Sequence, residues 1–245
     1  MPAAVPALRA HTALDIVIPV YNEGENICRT LAEIEEKIWT PHRIWIIYDF
    51  DEDSTLPAVR GWNGPAGTLR LARNRYGRGV LNAIKTGFDL VEDGVVLVVM
   101  ADSSDDLAVA DAMFAKINEG YDIVCGSRYM KGGKQIGGPR LKKLMSRAAG
   151  ISMRYLVGIP THDVSNSFKM YTSRVLRSVQ IESAGGFEIG MEILVKAHAQ
   201  GSRIAEVPSI WRDRTAGESR FRLWKWLPSY LHWYWFAMRH AWFRR

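Results

Sequence analysis

Short runs that are apolar throughout alternate along this chain with longer segments in which apolar residues recur every three or four positions. Continuous Val/Ile/Leu runs predict strands covered on both faces, and the 3.6-residue period predicts helices laid on a sheet. Residues 15–21 (DIVIPVY) read as a strand, and 25–38 as an amphipathic helix with an acid in its first turn. A buried strand at 43–49 (RIWIIYD) and a short one at 68–72 follow. Helical spacing at 80–91 leads into a strand at 95–100, and a helix at 107–118 precedes a strand at 121–126. Alternation of this kind predicts an α/β fold with a mostly parallel sheet flanked by helices.

Beyond 126 the pattern loosens. Residues 130–139 (MKGGKQIGGP) hold four glycines and two lysines and read as a mobile loop, either a lid over phosphates or an ordinary surface loop. Helical stretches at 141–156 and 190–199 and a strand at 203–211 complete the body. The chain divides into a tail at 1–13, a body at 14–211 and a basic aromatic segment at 212–245. The tail has two prolines and lacks the apolar core of a secretory signal.

Charge sharpens this division. The net charge is +6, and residues 212–245 carry eight basic residues against two acidic ones, so the body is neutral. A cationic end on a neutral body points to an anionic partner: a membrane, a phosphate ligand or nucleic acid. No nucleic-acid-binding module accompanies the basic residues, so nucleic acid is not expected. Residues 221–245 also hold five of the nine tryptophans. Leu227, Leu231, Tyr234, Trp235, Met238 and Trp242 fall on one helical stripe, with Lys225, Ser229, His232 and Arg239 opposite. Pro228 places the helix start near itself. Charge interrupts the segment too often for a bilayer span, which takes about 20 apolar residues. An amphipathic interfacial helix over 221–243, lying on the membrane surface, is the expectation; the alternative is a helix packed on the body or on a second copy. Cys28 and Cys125, far apart in a helix and a strand, are expected to be reduced and buried, as in an intracellular protein.

Candidate chemistry lies where strands end. Three of them run into acids: Tyr21-Asn22-Glu23, the run from Tyr48 to Asp53, and Met100-Ala101-Asp102. In a parallel sheet these ends share the rim where open α/β sheets bind ligands. One acidic strand end is ordinarily a helix cap or solvated. Three on one rim point to a divalent cation with a phosphate ligand, or to recognition of a base and ribose. The Tyr76–Gly79 turn before a helix is either a phosphate cradle or a tight turn. His162 reads as structural; Asp105 and Asp106 either reach a metal through water or cap the helix that follows, and Asp106 reads as the cap.

Taken in order, IVIPVYNE (16–23), the acidic turn after the second strand, Ala101-Asp102, CGSRY (125–129), DVSNSFKMY (163–171), EVP (206–208) and DRTAGES (213–219) resemble a known family. The chain is similar to nucleotide-sugar glycosyltransferases of the GT-A type, most of all to dolichol-phosphate mannose synthases and related polyprenyl-phosphate glycosyltransferases, over nearly all of 14–222. The resemblance implies a Rossmann-like GT-A fold and inverting, Mg²⁺- or Mn²⁺-dependent transfer of a sugar to a polyprenyl or dolichyl phosphate. Mannose from GDP-mannose is the implied donor, with a UDP-sugar as the alternative. By position, it implies that Pro19, Tyr21 and Glu23 contact the nucleoside with Asp49 beside the base. Ala101, Asp102 and Ser104 would face the donor, with Asp102 and Ser104 holding the metal. Arg128 and Arg214 would meet phosphates and, with Asp102, form the catalytic set. Arg220 would lie near the donor phosphates, with Arg73, Arg78 and Gly79 close by, and Ser146 and Arg147 would approach the acceptor phosphate. Members often carry transmembrane helices after this point; a sequence without them is expected to be a peripheral protein on the cytoplasmic, inner face of the cell membrane, with a membrane-embedded partner.

Two departures stand out: Met100 replaces the first acid of the usual Asp-Ala-Asp, and the run from Tyr48 replaces Asp-Asp-Gly-Ser. The proposed chemistry suits the residues. A departing diphosphate needs cationic stabilisation, and arginine forks pair phosphate oxygens. A polyprenyl phosphate is already an anion and needs no general base. Two other readings compete: transfer to a lipid or glycan hydroxyl, with Glu192 or Asp163 as base, and a non-catalytic nucleotide- or membrane-binding module, suggested by Met100.

Overall fold

A computed structural model describes residues 10–65, 67–213 and 223–243. The central sheet has seven strands in the order β3-β2-β1-β4-β7-β5-β8. They are β1 Leu14–Pro19, β2 His42–Tyr48, β3 Leu69–Arg73, β4 Val95–Val98, β5 Ile123–Ser127, β7 Lys169–Thr172 and β8 Ile204–Pro208. Only β7 runs antiparallel, wedged between β4 and β5. Two short strands, β6 Lys134–Ile136 and β9 Ile210–Arg212, form a separate parallel ribbon. The helices are α1 Asn26–Lys37, α2 Thr55–Arg60, α3 Val80–Asp89, α4 Ala110–Asn118, α5 Arg140–Ser152, α6 Ser173–Ser178, α7 Ile189–Ala199 and α8 Leu223–Phe243.

The apolar runs are continuous because both faces of the sheet are covered. Leu14, Ile16 and Ile18 of β1 point into a core shared with Ile27, Leu31 and Ile34 of α1 and Met113 of α4. Val17 points the other way, into a core with Leu81 and Ile84 of α3 and Leu194 of α7. β4 splits likewise, Val95 and Leu97 to one side, Val96 and Val98 to the other. This period of two makes register unforgiving, since a one-residue slip would exchange the two cores.

Four segments differ from the sequence pattern. The single strand expected at 203–211 breaks after Pro208, where β8 leaves the large sheet and β9 pairs with β6. That pairing pins the middle of 130–139, which periodicity reads as a mobile loop. β7 arises from a motif whose apolar run is too short to predict a strand. Helix α8 begins at Leu223, ahead of Pro228, which therefore sits inside the helix and leaves one backbone bond unmade.

Packing of the opposite face offsets that loss. Trp233 and Ala237 are buried, the Trp233 indole N–H donates to Ser183 Oγ at 2.8 Å, and the Lys196 ammonium lies 4.7 Å from the ring. The Tyr234 hydroxyl donates to Ser152 Oγ of α5 at 3.1 Å. Leu231, Trp235 and Trp242 face outward. One side of α8 thus packs on the body while part of the expected apolar stripe stays on the surface. No helix among the described residues is long and apolar enough to cross a membrane. Both cysteines are free thiols; Cys28 is half-buried, and burial pushes the Cys125 thiol up to about 12.

Candidate active site

The strand order reverses at β1, which has β2 on one side and β4 on the other. Such a switch point opens a crevice beyond the carboxyl ends of the strands. Pro19 ends β1 there, and the next residues are held by one buried acid. Asp53 Oδ1 accepts from the amides of Asn22 (3.0 Å) and Thr55 (2.9 Å). The Glu23 amide donates to Thr55 Oγ1 at 3.0 Å. Half-exposed Tyr21 stands edge-on to Phe50, their centroids 5.5 Å apart, and the Arg78 guanidinium lies 4.9 Å from the Phe50 ring. Two aromatic rings and a cation therefore flank the crevice where the resemblance puts the nucleoside.

Asp49, expected beside the base, ties β2 to the turn before α3. It accepts from Asn74 Nδ2 at 2.7 Å and from the Gly79 amide at 2.9 Å. The second contact sets a carboxylate on the positive end of α3. Gly79 has φ +126°, a conformation that side chains resist, so this turn requires glycine. Arg73 is occupied by Asp51 at 2.9 Å.

Beyond β4, residues 100–106 fold back on themselves. Ser103 takes φ +52°, Asp102 Oδ1 accepts from the Ser104 amide at 3.1 Å, and Asp105 Oδ2 accepts from the Met100 amide at 3.3 Å. Burial, and then the neighbouring Asp102 charge, push the Asp105 carboxyl up to about 7. Asp106 does not cap the following helical turn, Leu107–Val109; its Oδ2 accepts from the Ile210 amide at 3.0 Å. The Ser104 carbonyl accepts from the Arg212 amide at 3.0 Å, and the Ile136 carbonyl from the Asp213 amide at 2.9 Å. The acidic turn, β6 and β9 thus form one unit. Arg214 and Arg220 lie outside the described residues, but the described chain reaches Asp213 beside this turn.

The donor set fits a hard cation. Ala101 is buried, Asp102 is half-buried and Ser104 is buried beside it, and all their side-chain donors are oxygens. No three His, Cys, Asp or Glu side chains among the described residues converge as a self-sufficient cage. Mg²⁺ does not need one, because it is held by one or two carboxylates together with substrate phosphates and water.

On the neighbouring side, Arg128 follows β5 and is only 8% exposed. Its Nε and Nη2 donate to Asp163 at 2.6 and 2.8 Å, and Nη2 also reaches Ser146 and Ser165, each at 3.2 Å. Burial alone would raise the Asp163 carboxyl, but Arg128 outweighs it and holds Asp163 below the usual carboxylate range. Arg128, expected at a phosphate, is bonded within the protein to Asp163, Ser146 and Ser165. Arg147, the next residue on α5, is exposed. The structure thus brings Ser146, Ser165 and Arg128 together; Ser165 and Asp53 were missed because their roles depend on partners 19 to 37 and 31 residues away respectively.

The two carboxylates proposed as bases are locked. Asp163 is fully buried against Arg128, and fully buried Glu192 accepts from the amides of Glu182 (2.6 Å) and Ser183 (2.9 Å) and from Lys196 (2.8 Å). His162 is paired with Glu206 at 2.6 Å.

A sheet switch point rimmed by acids, with a small ribbon closing the acidic turn, defines a GT-A-type nucleotide-sugar transferase fold. Solved structures of glucosyl-3-phosphoglycerate synthase from Mycobacterium tuberculosis share it. One, in complex with Mn²⁺, UDP and glucosyl-3-phosphoglycerate, superposes with a TM-score of 0.65 at 14% identity, covering 94% of this chain and 80% of that one. Another, with Mn²⁺, UDP-glucose and phosphoglyceric acid, gives 0.69 at 13% identity over 93% and 80%. The chain belongs to glycosyl transferase family 2, whose profile matches residues 15–179, and it is a glycosyltransferase. It is 28% identical to a dolichol-phosphate mannosyltransferase of Pyrococcus furiosus over 85% of this chain, an alignment that spans 59% of that protein's length. It is 28% identical to an undecaprenyl-phosphate mannosyltransferase of Micrococcus luteus (83% of this chain, 85% of that one). To a polyprenol monophosphomannose synthase of Mycolicibacterium smegmatis it is 27% identical (84% and 79%).

Proposed function

We propose that this enzyme transfers mannose from GDP-mannose to a polyprenyl or dolichyl phosphate, with inversion and with Mg²⁺ or Mn²⁺, at the inner face of the cell membrane. Similar proteins named for this acceptor class support the reading. The observation that carries it is the state of the two carboxylates considered as bases: Asp163 and Glu192 are both fully buried and bonded to cations. A hydroxyl acceptor would need one of them to take its proton. An acceptor phosphate attacks as an anion and needs neither.

In this reading Pro19, Tyr21 and Glu23 receive the nucleoside, with Phe50 and Arg78 alongside and Asp49 holding the turn before α3. Asp102 and Ser104 hold the divalent ion, whose chemistry when bound is to neutralise the charge that develops on the leaving diphosphate. Arg214 and Arg220 serve the donor phosphates. Ser146, fixed by Arg128, and the exposed Arg147 orient the acceptor phosphate on the opposite side of the sugar from the diphosphate, which gives inversion.

The membrane surface is met through residues 221–243 and through α5. Outward on α5 and the π-turn Met153–Val157 that follows it stand Leu141, Leu144, Ile151, Tyr155 and Leu156; α8 adds Leu231, Trp235 and Trp242. Residues 140–157 contain five basic residues and no acid, and 223–243 contain two and none. Apolar and aromatic side chains among cations suit an anionic lipid surface. A membrane-embedded partner, to be sought by co-purification in detergent, completes the proposal.

Incubation with radiolabelled GDP-mannose or UDP-glucose, a short polyprenyl phosphate and Mg²⁺ or Mn²⁺ tests it. Lipid-linked mannose that disappears with EDTA or with Asp102→Asn is expected. Failure of every donor to label the lipid would refute the reading, and full activity of Asp102→Asn would refute the metal assignment.

A further inference from the structure

The turn after β4 carries three acids, and the structure sends them to three destinations. Asp102 stands at the strand end and accepts from the Ser104 amide; Asp106 is drawn away to the Ile210 amide of β9. Asp105 alone folds back onto the backbone of Met100, the position where the resemblance expects the first acid of the metal motif. We propose that Asp105 supplies the second carboxylate of the divalent-cation site, in place of the acid that Met100 lacks. This rests on the metal-dependent reading above.

Three features support it. The first is the backbone: Ser103 adopts the left-handed conformation at φ +52°, which costs a non-glycine residue on the order of 1 kcal/mol and clusters at functional sites. Its effect is to reverse the chain so that residue 105 meets residue 100 across the turn. The second is burial. Asp105 is 8% exposed, and its one hydrogen bond among the described residues is to an amide, while the cations whose charge reaches it from the protein side, Arg128 and Lys169, are bonded to Asp163 and to the Val164 and Asn166 carbonyls. A carboxylate kept so deep at an open rim is suited to a cation that arrives with the substrate. The third is the donor set. Asp102, Ser104 and Asp105 are oxygen donors of one turn, whose remaining hydroxyl, on Ser103, bonds Thr30 Oγ1 at 3.2 Å, and two carboxylates with diphosphate oxygens and water would suffice for Mg²⁺ or Mn²⁺.

The test is Mn²⁺ titration, read by the electron paramagnetic resonance of the free ion, on the full chain with GDP or UDP, alongside thermal melts. Asp105→Asn keeps an oxygen for the Met100 amide and loses the charge. It is expected to melt at or above the wild-type temperature and to weaken Mn²⁺ binding at least about tenfold, the scale on which partner groups of metal sites act. Adding Met100→Asp to Asp105→Asn is expected to restore the affinity. Wild-type Mn²⁺ affinity in Asp105→Asn would overturn the proposal, as would a weakened affinity that Met100→Asp does not repair. Should Asp105→Asn melt before titration, Met100→Asp alone decides. Beside two carboxylates already engaged it changes the affinity by less than about threefold, whereas a gain of about tenfold marks an unfilled place and overturns the assignment. Nucleotide binding by the wild type that ignores Mn²⁺ would instead refute the metal-dependent function, so the two failures are distinguishable.

Discussion

At the residue scale the site depends on one buried ion pair. Arg128 and Asp163 share two side-chain hydrogen bonds in a place where both are nearly inaccessible, and Arg128 in turn holds Ser146. Removing one partner leaves an uncompensated buried charge, so Asp163→Ala is expected to cost about 3–5 kcal/mol in urea denaturation, while Asp163→Leu with Arg128→Met costs much less. The pair also sets an acid limit. Asp163 titrates lower in the folded chain than in the unfolded one, so its stabilisation is fully present above the unfolded value of about 3.9 and is lost as pH falls through the folded value. The urea midpoint should therefore decline below about pH 4, and the Leu/Met double variant should decline less. None of this was legible in sequence, where Arg128 reads as a phosphate ligand and Asp163 as a possible base. Which charge meets which depends on contacts 35 residues apart. The acids at 23, 49 and 102 were legible because strand ends in a parallel sheet must share a rim.

At the element scale, legibility followed hydrophobic run length. β1, β2, β4 and β5 are apolar runs buried on both faces, and the sequence marks them. β6 and β9 have three residues each and exist only because they pair with each other and with the acidic turn. α5 was expected as a helix, but its seating was not. At Gly150 an added Cβ would lie 1.9 Å from the His162 carbonyl oxygen, so the helix backbone rests directly on the segment that carries Asp163. Gly150→Ala must push α5 outward and is expected to cost about 1–3 kcal/mol. Because Ser146 rides on α5, the acceptor KM should rise in this variant while nucleotide affinity, proposed to rest on residues after β1 and β4, stays unchanged. Equal losses of both would show that α5 does not orient the acceptor independently.

At the scale of the whole molecule, charge and exposed apolar surface lie together. α8 contacts the π-turn after α5, and a cavity of about 270 Å³ lies there, lined by Tyr155 and Leu156 of the turn, Val195 and His198 of α7, and His240 and Ala241 of α8 among others. Leu144 (65% exposed), Tyr155 (71%), Trp235 (59%) and Trp242 (82%) are large side chains that water alone would not favour on a surface. The sequence pattern assigned all of the membrane contact to 221–243. It did not mark the exposed leucines of α5, because cations interleave with them there and blur the stripe. If one surface carries both, Leu144→Ser with Tyr155→Ser should weaken co-sedimentation with anionic vesicles as much as Trp235→Ser with Trp242→Ser. Basic residues near a charged bilayer contribute about 1 kcal/mol each and act within a Debye length, so binding should fall steeply with salt and on neutral vesicles. Transfer to a short, water-soluble polyprenyl phosphate should survive in both double variants, because the crevice residues are untouched. A loss confined to the tryptophan pair would mean that α8 alone meets the lipid and that α5 faces water with its leucines exposed.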